Sequence, residues 1–429
     1  MNAIAKELND ILQGSAAAEL LSGMGREMFF PKGIVAQSGE AKQKAHTYNA
    51  TVGMATHKGN PVFLPSIHKE FSGLDSSEIF PYAPTPGDPK LRQVWKDEMI
   101  RKNPGLEGVK TSLPVVTAGL THGVSIVADL FLDSGDTIIV PDMFWGNYRL
   151  IFEVRRQAEI ASFSFFTKEG TLNLDGLAEV IENASGNKIM LIVNFPNNPT
   201  GYSPSVEEAE ALTALLVKHA EAGKKILIMT DDAYFGLFYE EGTCTQSLFA
   251  YLANAHENIL AVKGDAATKE ELVWGFRIGF LTYGGKGMTD GQYDALVKKT
   301  MGAIRSSVSN CSRPAQTLLL RGMASKTYNA EKEAAFALLL ARYVEVKKVL
   351  SKYADNELLR PMPFNSGYFM AFTCSGSAEA LRVYLLEQYG IGTISIQDIY
   401  LRIAYSSVDI ENIENLYDTL FKAAQEAWS

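Results

Sequence analysis

The chain has 429 residues, 46% of them hydrophobic and 21% charged, with a formal net charge of −9. That length exceeds what one core fills, so two domains are expected, and the acidic balance argues against a nucleic-acid partner. No apolar run approaches the ~18 residues of a membrane helix, and Cys244, Cys311 and Cys374 have neither metal nor redox spacing, so they read as reduced structural thiols.

In chain order, Met1 to Gly14 reads as the start of an amphipathic helix and not as a secretory signal, which makes the expected location cytoplasmic. The segment Val116-Thr117-Ala118-Gly119-Leu120-Thr121-His122-Gly123 reads as a strand end and a glycine turn, followed by an apolar helix from Val124 to Leu130. Free N–H groups at such a helix start form an anion site, and His122 reads as structural. The strand Asp136 to Val140 leads into Pro141-Asp142-Met143-Phe144-Trp145-Gly146-Asn147-Tyr148.

The apolar run Ile189 to Val193 ends in Asn194-Phe195-Pro196-Asn197-Asn198-Pro199-Thr200-Gly201, a loop leaving a buried strand, where α/β sheets place ligands. The tetrad Asn-Pro-Thr-Gly is expected by chance on the order of 10⁻² times or fewer in such a chain. A turn before the next helix accounts for Pro199 and Gly201 but leaves the Asn198 amide free to bind something. That helix runs from Val206 to Ala222, with Ala209, Leu212, Leu216 and Ala220 at helical spacing.

A second apolar run, Ile226 to Thr230, ends in Asp231-Asp232-Ala233-Tyr234, again a carboxylate and a phenol at a strand's C-terminal end. An Asp there can keep a pyridine nitrogen protonated and a Tyr can hydrogen-bond a phenolic oxygen. Spacing to Tyr234 favours Asp231, while Asp232 reads as an ordinary helix cap.

The most informative stretch is Thr268-Lys269-Glu270-Glu271-Leu272-Val273-Trp274-Gly275-Phe276-Arg277-Ile278-Gly279. Lysine forms Schiff bases when burial or a nearby cation lowers its pKa, and Ala266, Ala267 and Thr268 leave room for a bulky adduct on Lys269. Arg277, between two glycines, suits close approach to a phosphate. The alternative from this segment alone is a surface lysine in an acidic loop followed by a strand arginine.

Strands alternating with helices from about 113 to 285 predict an α/β domain with a mostly parallel sheet flanked by helices. A helix from about Tyr293 to Ser306 and one near 314 to 350 follow. Then come the strand Phe369 to Phe372, a helix at 377 to 389, a strand around 400 to 405, and a final helix bearing Ile413, Leu416, Leu420 and Phe421. This is the pattern of a second, smaller α+β domain. The six histidines form no constellation, and no metal site is readable.

From about residue 48 to 405 these residues resemble the fold type I pyridoxal-phosphate (PLP) enzymes, and within them the class I aminotransferases typified by aspartate aminotransferase. The resemblance implies a large domain with a mostly parallel seven-stranded sheet over 76–325, a small domain over 326–429 joined by residues 1–75, and a bridging helix at about 315–350. It implies Lys269 as the lysine that holds PLP, Asp231 facing the pyridine nitrogen, and Asn198 and Tyr234 on the ring's 3-oxygen. Arg277 then holds the phosphate with the backbone of Gly119 and Leu120 and with Thr121, and Trp145 stacks on the ring. Arg402, in Leu401-Arg402-Ile403, is implied to pair with the substrate α-carboxylate. Arg305, by its spacing to Ser309-Asn310, is implied to reach a distal carboxylate in the other subunit, although the polar face of a helix explains it as well. Thr51-Val52-Gly53-Met54 resembles the segment whose Gly53 backbone approaches substrate, and Tyr82-Ala83-Pro84 the one whose Tyr82 reaches the neighbour's phosphate; turn and packing readings compete for both. The family's serine three residues before the lysine is Ala266 here, which removes one phosphate contact.

The implied activity is ping-pong transamination between a dicarboxylic amino acid and a 2-oxo acid, 2-oxoglutarate being the second oxo acid, in a homodimer with shared active sites. Aromatic amino acids as donors, or a PLP-dependent lyase or decarboxylase on the same fold, are the alternatives.

Overall fold

The computed structural model describes residues 1–30 and 33–428. A seven-stranded sheet lies at its centre: β1 (Val115–Thr117), β2 (Thr137–Pro141), β3 (Glu159–Phe163), β4 (Lys188–Asn194), β5 (Lys225–Asp232), β6 (Ile259–Ala266) and β7 (Gly279–Gly284). Their spatial order is β1-β7-β6-β5-β4-β2-β3. The pairs from β6 across to β3 are parallel, and β7 is antiparallel to both of its neighbours. The mostly parallel seven-stranded sheet that the resemblance implies is therefore present.

Strands buried on both faces read as continuous apolar runs, and β4 and β5 do so, while β6 is apolar from Ile259 to Val262 and then carries the buried Lys263 and Asp265. Alternate residues divide between two cores. Met190, Ile192, Leu227, Met229 and Val262 pack with Val124 and Val127 of the helix Leu120–Phe131 and with Ile304 of the helix Asp290–Ser307. Ile189, Leu191, Val193, Ile226 and Ile228 pack on the opposite face with Leu177 and Ile181 of the helix Leu174–Asn183 and with Leu212 and Leu216 of the helix Val206–Glu221. Register aligns Asn194 with Asp231, and Asp231 with Gly264, along one edge of the sheet.

A four-stranded antiparallel sheet, β8 (Leu359–Pro361), β9 (Met370–Cys374), β10 (Ile394–Ile396) and β11 (Tyr400–Ile403), has the order β8-β9-β11-β10. Leu381 and Leu385 of the helix Ala378–Tyr389, with Leu416 and Leu420 of the helix Ile410–Trp428, build a core of their own against it. The early segment Tyr48–Asn49 pairs in parallel with Ile391–Gly392, which ties the N-terminal region to this second sheet.

Two expectations need correction. The single helix near 314 to 350 is two helices, Arg313–Met323 and Tyr328–Ser351. Ser325 and Thr327 bond each other by their hydroxyls, and Thr327 reaches Glu331; such local side-chain bonds compete with helix continuation. Asp232 is no helix cap. It is the last residue of β5, buried, with Oδ2 2.6 Å from Lys263 Nζ and accepting from Ser247 Oγ at 2.6 Å.

Candidate active site

A cavity of about 430 Å³ opens at the C-terminal edge of β4 and β5, between the two sheets. Its lining includes Gly53, Leu120, Thr121, Trp145, Asn198, Asp231, Tyr234, Lys269, Arg277 and Arg402, segments that lie far apart in the chain. Lys269 sits in the short helix Ala267–Glu270 at the end of β6, its Nζ 4.3 Å from the centre of the Tyr234 ring. The lysine is half-buried and faces the cavity, so the reading of Lys269 as a surface residue does not hold.

Asp231 lies on the cavity floor, 4% exposed. Its carboxylate accepts from Tyr148 OH at 2.6 Å, from Asn194 Nδ2 at 3.2 Å and from the Ala233 N–H at 3.2 Å. Burial raises this carboxyl above its ordinary value, against the pull of the Tyr148 hydrogen bond and of Lys269. A lone buried carboxylate gains most from a cation placed beside it. Tyr148 and Asn194 were not singled out in the sequence as partners of Asp231. Tyr148 immediately precedes the π-helical turn Arg149–Val154, and its ring meets Trp145 edge-on at 5.6 Å.

Asn198 is held by its backbone N–H donating to Asn194 Oδ1 at 2.7 Å. The Asn-Pro-Thr-Gly tetrad ends in Gly201 at φ +77°, where a Cβ would lie 1.9 Å from the Phe369 carbonyl oxygen. Glycine is thus required for the loop to seat against the segment that leads into β9. That seating brings Asn198 to Arg402 of β11, whose Nη1 donates to Asn198 Oδ1 at 3.1 Å and whose Nη2 donates to the Thr51 carbonyl at 2.9 Å. Arg402 is 2% exposed, and among the described residues its Nε has no partner and no carboxylate pairs with it. Burial pushes its guanidinium down to about 10. Its Cζ lies over the Phe369 ring, 4.4 Å from the ring centre.

At the other end, Gly119 (φ +80°) caps the helix Leu120–Phe131. A Cβ there would lie 2.6 Å from Arg277 Nη2, so the missing side chain is the space the guanidinium occupies. Arg277 is itself left-handed at φ +53° and exposed. His122 is tied by the Ala118 N–H at 3.1 Å and lies 3.0 Å from Ser307 Oγ, and Ala266 is buried in the core.

Of the expected site residues, Gly119, Tyr82 and Arg305 are not among those lining this cavity, Gly119 lying just behind Arg277. Tyr82 is 88% exposed. Arg305 is exposed near the end of the helix Asp290–Ser307 and bonds Ser309 Oγ. Ile34 and Ser38 line the cavity without any sequence signal that marked them, while Val52, Thr268 and Trp274 lie in segments the sequence marked and Phe369 begins a strand it predicted. Among the described residues, no group of three or more His, Cys, Asp or Glu is placed to hold a metal, and no helix is long and apolar enough to cross a membrane.

A lysine, a buried aspartate and an arginine beside a helix N-terminus thus come together around one cavity at the edge of this sheet. Residues 51–420 match the sequence model of the class I and II aminotransferases, and the chain belongs to that family. An aspartate aminotransferase of Pyrococcus horikoshii is 26% identical over 47% of this chain and 47% of its own length. An aspartate/prephenate aminotransferase of Thermus thermophilus is 31% identical over 46% and 47%. The chain therefore spans about half the length of the curated relatives it matches. Among solved structures, an aminotransferase from Anaerococcus prevotii superposes with a TM-score of 0.82 at 24% identity, covering 93% of this chain and 97% of that one. The Thermus thermophilus aspartate aminotransferase with maleate gives 0.72 at 20% identity, covering 95% and 99%. At these identities the structures speak for the fold.

Proposed function

We propose that the protein is a PLP-dependent aminotransferase that moves the amino group of a dicarboxylic amino acid, aspartate or glutamate, to a 2-oxo acid. The observation that carries this reading is Arg402: a buried guanidinium with no carboxylate partner among the described residues, facing the same cavity as Lys269. A buried charge without a partner is costly unless a ligand completes it, and the planar fork matches an α-carboxylate.

The residues fit the cofactor. The Gly119 cradle under Arg277 and the N–H groups of the helix start at Leu120 and Thr121 would hold a phosphate, Asp231 a protonated ring nitrogen, Tyr234 and Asn198 a phenolic oxygen, and Trp145 a ring face. When bound, PLP supplies an aldehyde that carries the amino group and an electron-poor ring that stabilises negative charge at the substrate's Cα. Arg402 and Asn198 orient the substrate so that its Cα hydrogen faces Lys269, and Lys269 as an amine accepts that proton. Asp231, its charge stabilised by Tyr148 and Asn194, holds a proton on the ring nitrogen.

Among the described residues, the cations lining this chain's own cavity are Lys269, Arg277 and Arg402. Recognition of a second carboxylate is therefore assigned to Arg305 of a neighbouring copy in a homodimer, with Tyr82 reaching the phosphate in the same way; the exposure of both side chains supports this. The apolar lining from Ile34, Val52 and Phe369 favours a second reading, an aromatic amino donor. The test is the 300–500 nm spectrum of the purified protein as cysteine sulfinate, aspartate and tyrosine are added separately. Loss of the bound-cofactor band with aspartate or the sulfinate, and its return with 2-oxoglutarate, supports the dicarboxylate reading. A response to tyrosine alone would favour the aromatic one, and a donor that is consumed while the band persists or returns without any added oxo acid would mean a lyase. Absence of any band would defeat the PLP reading, and a band unchanged in Lys269→Ala would defeat the role assigned to Lys269.

A further inference from the structure

Lys269 is carried by a helix of four residues, Ala267–Glu270, too short to hold itself. The bonds that follow it are sparse: the Glu271 N–H donates to the Ala267 carbonyl at 2.9 Å and the Leu272 N–H to the Lys269 carbonyl at 3.3 Å. Leu272 then takes φ +55°. A left-handed leucine is strained and persists only where its surroundings enforce it. Something outside this segment must fix it.

The two acidic residues after Lys269 supply the fixation. Their side chains are withdrawn from water, 6% exposed for Glu270 and 0% for Glu271. Glu270 binds Lys102, the last residue of the helix Pro89–Lys102, and lies 3.9 Å from Lys332 Nζ. Glu271 accepts from Lys332 Nζ at 2.7 Å and from Tyr328 OH at 2.6 Å, both on the first turns of the helix Tyr328–Ser351. Burial works against ionisation of Glu270, but Lys102 and Lys332 outweigh it and hold the carboxyl below its ordinary value. Glu98, 3.8 Å from Lys102, completes the cluster.

We propose that Glu270 and Glu271, with Lys102, Lys332 and Tyr328, form a clamp that positions Lys269 by fastening its short helix to two long ones. These are positioning residues, and all five act on the reaction through Lys269. The proposal rests on the aminotransferase reading for its kinetic arm only. Truncating one partner of such a pair leaves a buried charge uncompensated, and displacement of a reacting group by about 1 Å is worth up to ~10²-fold in rate.

The experiment compares Glu271→Gln, Lys332→Met and the conservative Lys332→Arg with the unaltered protein. In the cofactor-free chain, amide hydrogen exchange is followed over 267–272 and over β4 and β5. In the loaded enzyme, kcat and KM are measured for the amino donor identified spectroscopically. Expected are exchange at least about tenfold faster over 267–272 with β4 and β5 unchanged, and kcat lowered about tenfold with KM within twofold, for Glu271→Gln and Lys332→Met. Lys332→Arg should restore both. The proposal is overturned if exchange over 267–272 stays within twofold, or if protection falls equally across β4 and β5, which would mark a pair that serves global stability alone. If the unaltered protein binds no PLP, the aminotransferase reading fails while the exchange arm still decides whether the clamp exists.

Discussion

Replacing Gly119 by alanine tests how the anion cradle is built. The new Cβ would stand 2.6 Å from Arg277 Nη2 and 3.0 Å from its Cζ, so the guanidinium must swing out of the cradle. A charge-assisted hydrogen bond is worth ~1.5–3 kcal/mol, so its loss alone corresponds to PLP binding weakened roughly 10- to 150-fold. The backbone adds a separate burden: φ +80° with ψ 166° is a conformation only glycine adopts readily, at ~1–3 kcal/mol for other residues, and this lowers the unfolding midpoint of the cofactor-free chain. Affinity is measured by titrating PLP into that chain while following the fluorescence of Trp145 and Trp274, both of which line the cavity. Because the added methyl acts through Arg277, the double variant Gly119→Ala/Arg277→Ala should bind no more weakly than Arg277→Ala alone, to within about threefold. Two losses that multiply, or a Gly119→Ala affinity within twofold of the unaltered chain, would refute the displacement argument.

Arg402→Lys keeps the charge but loses the fork; kcat/KM for the amino donor should fall about 10²-fold with PLP affinity unchanged, and a loss confined to PLP binding would contradict the role assigned to Arg402. Asp231 has its folded-state pKa raised above 3.8, so its burial penalty is absent below that value and complete once pH passes the folded-state pKa. Asp231→Asn should therefore make the cofactor-free chain more stable than its parent at pH 7, with the gain shrinking toward pH 4, while abolishing turnover; an Asn variant less stable at pH 7 would show the sign to be wrong. Burial opposes the charge on Lys263, but Asp232 and Asp265 outweigh it and hold the ammonium above its ordinary value. Lys263→Met strands both carboxylates and should cost about 3–5 kcal/mol in urea unfolding; a change under about 1 kcal/mol would mean that water or a repacked side chain replaces the lysine.

What the sequence disclosed about this molecule follows the range of its physical rules. The strands β4 and β5 hold continuous apolar runs, and Asn198 and Asp231 beyond their ends stand where parallel sheets gather ligands, so the middle of the sheet and that part of the cavity were readable together, while Lys269 was legible from its spacing to Arg277. Tyr148 follows the Trp145-Gly146-Asn147 run, yet its bond to Asp231 spans 83 residues, and no periodicity encodes such a meeting. Asp232 looked like a cap because its partner, Lys263, comes from the neighbouring strand, and a strand register is not visible in one strand's composition. The break between Met323 and Tyr328 has no glycine or proline to announce it; serine and threonine hydroxyls make it by bonding locally. Glu270 and Glu271 resembled a solvated acidic loop for the same reason, their counter-ions lying on two other helices.

The reversed direction of β7 bears on how the margin of the sheet opens. Because β7 runs against its neighbours, its beginning lies where theirs end, and Arg277 arrives just before it beside Gly119, which leaves β1. The short outermost strand β1 meets the sheet through three residue pairs with β7, Gly279 opposite Thr117 among them. An anion gripped by both segments would act as a clasp on that margin, and a ligand at 100 times its Kd adds about 2.7 kcal/mol to whatever opening it opposes. Opening of that margin, read as amide exchange at Val115–Thr117, should therefore slow when PLP is bound.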